Sequence, residues 1–153
     1  MSIEDDIAFL ERVPTLAILG REALRILAIS AESRYIHGDN VLFREGEPAD
    51  AGYVIQEGSF SLTAEHAGLD APVSVGPGTL IGELALVTET KRPVTATATE
   101  PSTVIRIPRT LFLKMLEGFP EAAERLRAYM LERADHSARA IRTVRGALNG
   151  QGQ

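Results

Sequence analysis

Gly78-Thr79-Leu80-Ile81-Gly82-Glu83-Leu84-Ala85-Leu86, followed after four intervening residues by Lys91-Arg92-Pro93-Val94-Thr95-Ala96-Thr97-Ala98, is the stretch that decides the fold. A short apolar strand runs into a glycine and a carboxylate. Small apolar residues then make one turn, and a lone arginine opens a second, β-branched strand. Glu83 and Arg92 stand nine positions apart. A buried arginine needs an anionic partner, and two arrangements supply one here. Arg92 can pair with Glu83 or another carboxylate. It can instead hold a phosphate, for which its planar fork is suited, with Glu83 accepting from a sugar hydroxyl and the turn at Leu84-Ala85-Leu86 adding backbone N–H donors.

Outward from this stretch, residues 33–108 alternate short β-rich runs with turn residues. The runs are Arg34–Ile36, Val41–Phe43, Gly52–Gln56, Ser59–Glu65, Pro72–Val75, Thr79–Ile81, Val94–Ala98 and Ser102–Ile107. Gly-containing breaks and the lack of helices between them predict an antiparallel sandwich or jelly roll. Glu57-Gly58, between two strands, reads as a tight hairpin.

Helices flank this region. Ile3, Ile7 and Leu10 have helical spacing, Ser2 is placed as an N-cap with Asp5 three residues on, and Val13-Pro14 breaks the run. Arg21–Ile29 forms a second helix with Leu24, Leu27 and Ala28 on one face. At the other end Thr110 is placed to cap Leu111–Glu117, and Gly118 to close it. Pro120 suits a first helical turn, and nothing breaks the helix from Glu121 to about Leu148. Leu126, Met130, Ala134, Ser137, Ile141, Val144 and Leu148 form a narrow seam on it, expected to meet a partner chain or a second copy. The expected layout is therefore one domain over 1–148: helices at 3–29, β-structure at 33–108, C-terminal helices at 110–148, and a polar tail at 149–153 expected to be disordered.

The composition bounds the chemistry. The chain has 153 residues, 44% of them hydrophobic and 24% charged, as in an ordinary globular protein. A net charge of −5 argues against general nucleic-acid binding. Arg139, Arg142 and Arg145 read as a solvated face at a negative helix end. With no cysteine, disulfide scaffolds, thiolate zinc sites and iron–sulfur centres are excluded. No apolar run reaches the ~18 residues a membrane span needs, and the acidic start lacks the features of a secretory signal. A cytoplasmic protein without membrane association is expected. His37, His66 and His136 are scattered, and no serine sits in a nucleophile-elbow context. No metal site, cofactor or catalytic residue is expected, and the chain does not read as an enzyme.

The Gly78–Leu86 and Arg92–Ala96 segments resemble the phosphate-binding cassette of cyclic nucleotide-binding domains, the family of the catabolite activator protein and the protein kinase A regulatory subunits. Gly38, Gly46 and Gly58, with Glu47-Pro48-Ala49-Asp50 and Tyr53-Val54-Ile55, are similar to that family's early-barrel pattern, and the resemblance covers roughly residues 5–135. It implies a mainly β fold with flanking helices, an eight-stranded jelly-roll-like β-roll (a double-stranded β-helix) closed by a long C-terminal helix. It implies a ligand, cyclic AMP or cyclic GMP, with Arg92 on the cyclic phosphate and Glu83 on the ribose 2′-hydroxyl. Gly82, Leu84, Ala85, Pro93 and Val94 complete the implied site. Val73, Leu80, Ile81 and Arg133 are candidate base contacts, with Arg125 and Tyr129 as further helix contacts. The chain stops where regulators related to the catabolite activator protein continue into a helix-turn-helix, so a stand-alone module is expected. One departure stands out. The family often has Ala, Ser or Thr after the arginine, whose backbone N–H can meet the phosphate, whereas Pro93 has no N–H. The resemblance thus implies a cyclic nucleotide sensor signalling through its C-terminal helix. The alternative is an interaction module that keeps the fold without the ligand.

Overall fold

A computed structural model describes residues 2–65 and 71–133. Three helices come first: α1 (Ile3–Leu10), α2 (Pro14–Ala17) and α3 (Arg21–Ser30). Ser2 caps α1 in a capping box with Asp5, as its spacing predicts. Pro14 does end the first helical run, but it also starts α2 from position N1, where its missing N–H costs nothing.

Ten strands follow among the described residues: β1 (Glu32–Ile36), β2 (Val41–Phe43), β3 (Pro48–Ala49), β4 (Ala51–Glu57), β5 (Phe60–Thr63), β6 (Val73–Val75), β7 (Leu80–Ile81), β8 (Thr90–Lys91), β9 (Thr95–Ala98) and β10 (Ser102–Pro108). Every pairing between them is antiparallel. One sheet runs β1-β10-β4-β7 and the second β2-β9-β5-β6, while β3 and β8 form a two-stranded ribbon. The fold is mainly β with flanking helices, a β-roll of two four-stranded sheets. The sequence does not predict the ribbon, because Pro48-Ala49 and Thr90-Lys91 are too short to show a period of two.

The Glu57-Gly58 turn is not a hairpin. β4 lies in one sheet and β5 in the other, so the turn carries the chain between sheets. Gly58 takes a φ of +92°, and a Cβ there would lie 2.1 Å from Ser102 Oγ and 2.7 Å from Ser102 Cα. Only glycine permits so close a crossing.

Two apolar clusters share the central strands. Along β4, Ala51, Tyr53 and Ile55 enter the roll with Phe43, Phe60, Ile81, Ala96, Ala98 and Val104. Val54, between them, faces the helices with Leu10, Leu24, Leu27, Ile107, Phe112 and Leu126. This alternation, covered on both faces, explains why Ala51–Ile55 are all buried. α4 spans Arg109–Gly118. Thr110 does not cap it. The helix starts two residues earlier, with Pro108 in the cap position, and the Arg109 N–H is taken by the Asp50 carbonyl at 2.8 Å. α5 follows and is described over 120–133. The predicted continuation to Leu148, the seam from Ala134 on, and Arg139, Arg142, Arg145, His66 and His136 lie outside the described residues. Among the described residues no helix is long and apolar enough to cross a membrane.

Candidate functional site

Gly82 ends β7 and begins a 3-10 turn over Glu83–Leu86. Its φ of +81° and ψ of 38° are left-handed, a conformation glycine adopts without steric cost. A Cβ on Gly82 would stand 2.5 Å from Arg92 Nη1 and 3.3 Å from the Ala51 carbonyl. Glycine therefore answers two demands: the turn needs positive φ, and the guanidinium needs the space.

Arg92 is placed from both sides of its chain. Its N–H donates to the Glu47 carbonyl and its own carbonyl accepts from Gly46 N–H, each at 2.8 Å. The adjoining loop is held further by Glu45 N–H donating to Thr95 Oγ1 at 2.8 Å. The guanidinium lies over the Phe43 ring at 4.2 Å and the Tyr53 ring at 5.5 Å, a cation–π shelf. Arg92 is only 4% exposed. Burial draws its pKa down from the ordinary arginine value, and Tyr53, Asp50 and Glu47 pull the other way. An arginine nonetheless stays charged at neutral pH.

That buried cation has no anionic partner among the described residues. Asp50 is taken by Arg106 at 3.0 Å, and Glu83 by Arg133. Arg92 Nη1 is buried without any hydrogen-bond acceptor among them. Of the two arrangements open in the sequence, internal pairing with Glu83 is therefore not the one found. A buried N–H left unmade costs ~1–3 kcal/mol, more on a charged group, and an anion seated at the turn would offset that cost.

Glu83 is turned toward the helices. Its Oε2 accepts from Thr15 Oγ1 at 2.8 Å, and its Oε1 accepts from Arg133 Nη1. Arg133, on α5, also lies over the Tyr129 ring. Ala85 is buried and its N–H is already given to the Gly82 carbonyl, whereas Leu84 is exposed. Pro93 is exposed and Val94 packs at the edge of the roll cluster. The candidate base contacts are not brought together. Leu80 packs with the helix-side cluster and Ile81 inside the roll, because neighbours on a strand point to opposite faces. Val73 is exposed on β6. Arg125 donates to the Ile18 and Leu19 carbonyls, so it ties α5 to the α2–α3 turn.

A surface cleft of about 570 Å³ borders Arg92 and is lined also by Arg44, Glu45, Gly46, Thr63, Glu65 and Thr95. Ala96 and Ala98 point into the roll, so Thr95 points out, and this cleft lies on the outer side. Its charged lining is balanced, with Glu45 and Glu65 set against Arg44 and Arg92. On its other side the Arg92 guanidinium faces Gly82, Phe43 and Tyr53.

Sequence reasoning missed Thr15, Phe43, Tyr53 and Arg109. Arg109 Nη1 donates to the carbonyls of Ala49 at 2.9 Å, Thr88 at 3.0 Å and Ala85 at 3.3 Å. One nitrogen thus ties the ribbon, the 3-10 turn and the segment after it. Arg109→Met should cost about 1.5–3 kcal/mol, the worth of hydrogen bonds to a charged donor. Urea unfolding checks this; an unchanged midpoint would show that the turn holds its shape without the guanidinium.

The profile of the cyclic nucleotide-binding domain matches residues 33–119. The chain belongs to the cyclic nucleotide-binding domain family. An uncharacterized NTE family protein of Mycobacterium tuberculosis is 33% identical over 146 residues, which are 92% of this chain but 25% of that protein. The chain thus spans about a quarter of the length of that curated relative. Among solved structures, a cyclic nucleotide-binding-like protein from Brucella abortus is 38% identical, with a TM-score of 0.66 over 74% of this chain and 98% of that one. The N-terminal domain of a transcriptional regulator from Streptomyces coelicolor is 30% identical, with a TM-score of 0.78 over 87% and 94%.

Proposed function

We propose that this cyclic nucleotide-binding domain binds cyclic AMP or cyclic GMP and relays occupancy through its C-terminal helix to a partner or a second copy. The observation that carries the reading is Arg92, a buried cation whose Nη1 has no acceptor among the described residues, while Asp50 and Glu83 pair with Arg106 and Arg133. A cyclic phosphate at the Gly82–Leu86 turn supplies the missing anion, with a charge-assisted bond to the guanidinium. Glu83 serves the ribose 2′-hydroxyl through Oε1, with Arg133 giving way there. Because Arg133 sits on α5, occupancy and helix position become linked. Ligand can move that helix only by its differential affinity for the two positions.

Pro93 favours a second reading, an interaction module that keeps the fold without ligand. It removes one backbone donor beside the phosphate, which is worth about ten-fold in affinity or more. Titration calorimetry with cyclic AMP and cyclic GMP separates the two readings. Heat saturating at one nucleotide per chain is expected. No heat with either nucleotide at high micromolar protein would leave the interaction module standing.

A further inference from the structure

The Glu83 carboxylate has two partners of different character. Arg133 is half-exposed and sits on the helix that is to move. Thr15 is 4% exposed, one of few buried polar residues among those described, and its hydroxyl donates to Oε2 at 2.8 Å across 68 positions of sequence. It belongs to α2, whose other buried residue, Leu16, enters the helix-side core. The Thr15 hydroxyl is therefore held by packing and not by the cassette. A carboxylate gripped on one oxygen by a fixed buried donor keeps its second oxygen in a set direction. Without that grip Glu83 has a free rotor and an exposed, replaceable cation to hold it.

We propose that Thr15 is a positioning residue for ribose recognition, its buried hydroxyl orienting Glu83 so that Oε1 meets the ligand's 2′-hydroxyl. This rests on the cyclic nucleotide reading above and adds a determinant outside the β-roll. It makes the N-terminal helices part of the selection of a sugar bearing a 2′-hydroxyl. Thr15 touches no ligand atom in this scheme, and its effect passes through Glu83 alone.

The test is calorimetry with cyclic AMP and with 2′-deoxy cyclic AMP, and the corresponding guanine pair, on wild type, Thr15→Val and Thr15→Ser. Wild type is titrated first: an absence of binding there defeats the ligand reading itself. Given binding, Thr15→Val should weaken the 2′-hydroxyl ligand by about ten-fold, the scale of one charge-assisted hydrogen bond. It should leave the 2′-deoxy ligand within about two-fold, since that ligand makes no use of Glu83 orientation. Thr15→Ser restores the hydroxyl and should restore discrimination. Equal weakening of both ligands by Thr15→Val would reveal a packing role only and overturn the proposal, as would unchanged discrimination. Should Thr15→Val fail to fold, Thr15→Ala takes its place, alone and combined with Glu83→Gln. The proposal then requires that Thr15→Ala alter discrimination only while Glu83 is present; an effect of equal size in both backgrounds would sink it.

Discussion

Arg92→Met is expected to abolish most nucleotide binding while making the ligand-free protein more stable. The two effects have one cause. In the free protein the guanidinium is buried, its Nη1 lacks an acceptor among the described residues, and Asp50 and Glu83 serve Arg106 and Arg133. Methionine removes that desolvated charge and keeps a flexible apolar chain against Phe43 and Tyr53, the rings that now lie 4.2 and 5.5 Å from the guanidinium. The cation–π attraction forfeited is worth about 0.5–2 kcal/mol. An unpartnered buried charge costs several kcal/mol even after relaxation. The net should favour methionine by about 1 kcal/mol, and each kcal/mol raises the midpoint by about 2–4 °C in a chain of this size. Binding moves the other way. Truncating one side of a buried charge pair costs about 2–5 kcal/mol, a loss of about thirty-fold or more in affinity. Thermal unfolding without ligand and calorimetry with cyclic AMP and cyclic GMP measure the two halves. A midpoint several degrees lower would mark Arg92 as a structural residue and remove the main reason to place a phosphate beside it.

The same contrast shows what can be read from the chain and what cannot. The strands are legible because their alternation is local, and Gly82 and Arg92 because their spacing is short. The Glu57-Gly58 turn misleads for a physical reason. A glycine between two strands looks the same whether the strands pair or part into separate sheets, and only the close approach to Ser102 distinguishes them. The partners of the site residues are out of reach for another reason. Thr15 meets Glu83 across 68 positions, and Arg109 meets Ala49 across 60. Neither pairing leaves a periodic trace. Leu80 and Ile81 look equivalent as apolar neighbours, yet the strand sends one to the helices and the other into the roll. Residue types at the site are therefore readable. Their pairings, Glu83 with Thr15 and Arg133, and Arg92 with two aromatic rings, are set by tertiary packing.

Gly82→Ala should damage both stability and binding, and the cause is open to dissection. Left-handed backbone costs a non-glycine residue about 1–2 kcal/mol. The added Cβ would also stand 2.5 Å from Arg92 Nη1, with the Ala51 carbonyl 3.3 Å away on another side. The guanidinium is the softer neighbour, so it should yield, leaving its place over Phe43. Loss of binding then follows from a displaced Arg92 even if the turn keeps its shape. Combining the substitution with Arg92→Met separates the terms, since the longer guanidinium is then gone. In that background Gly82→Ala should cost only the backbone term, about 1–2 kcal/mol. In the wild-type background it should cost more, with a coupling of about 0.5–3 kcal/mol between the two positions. Urea unfolding of the four proteins closes the cycle. Strict additivity would mean that the alanine methyl and the guanidinium do not compete for space, and that Gly82 is required for its dihedral angles alone.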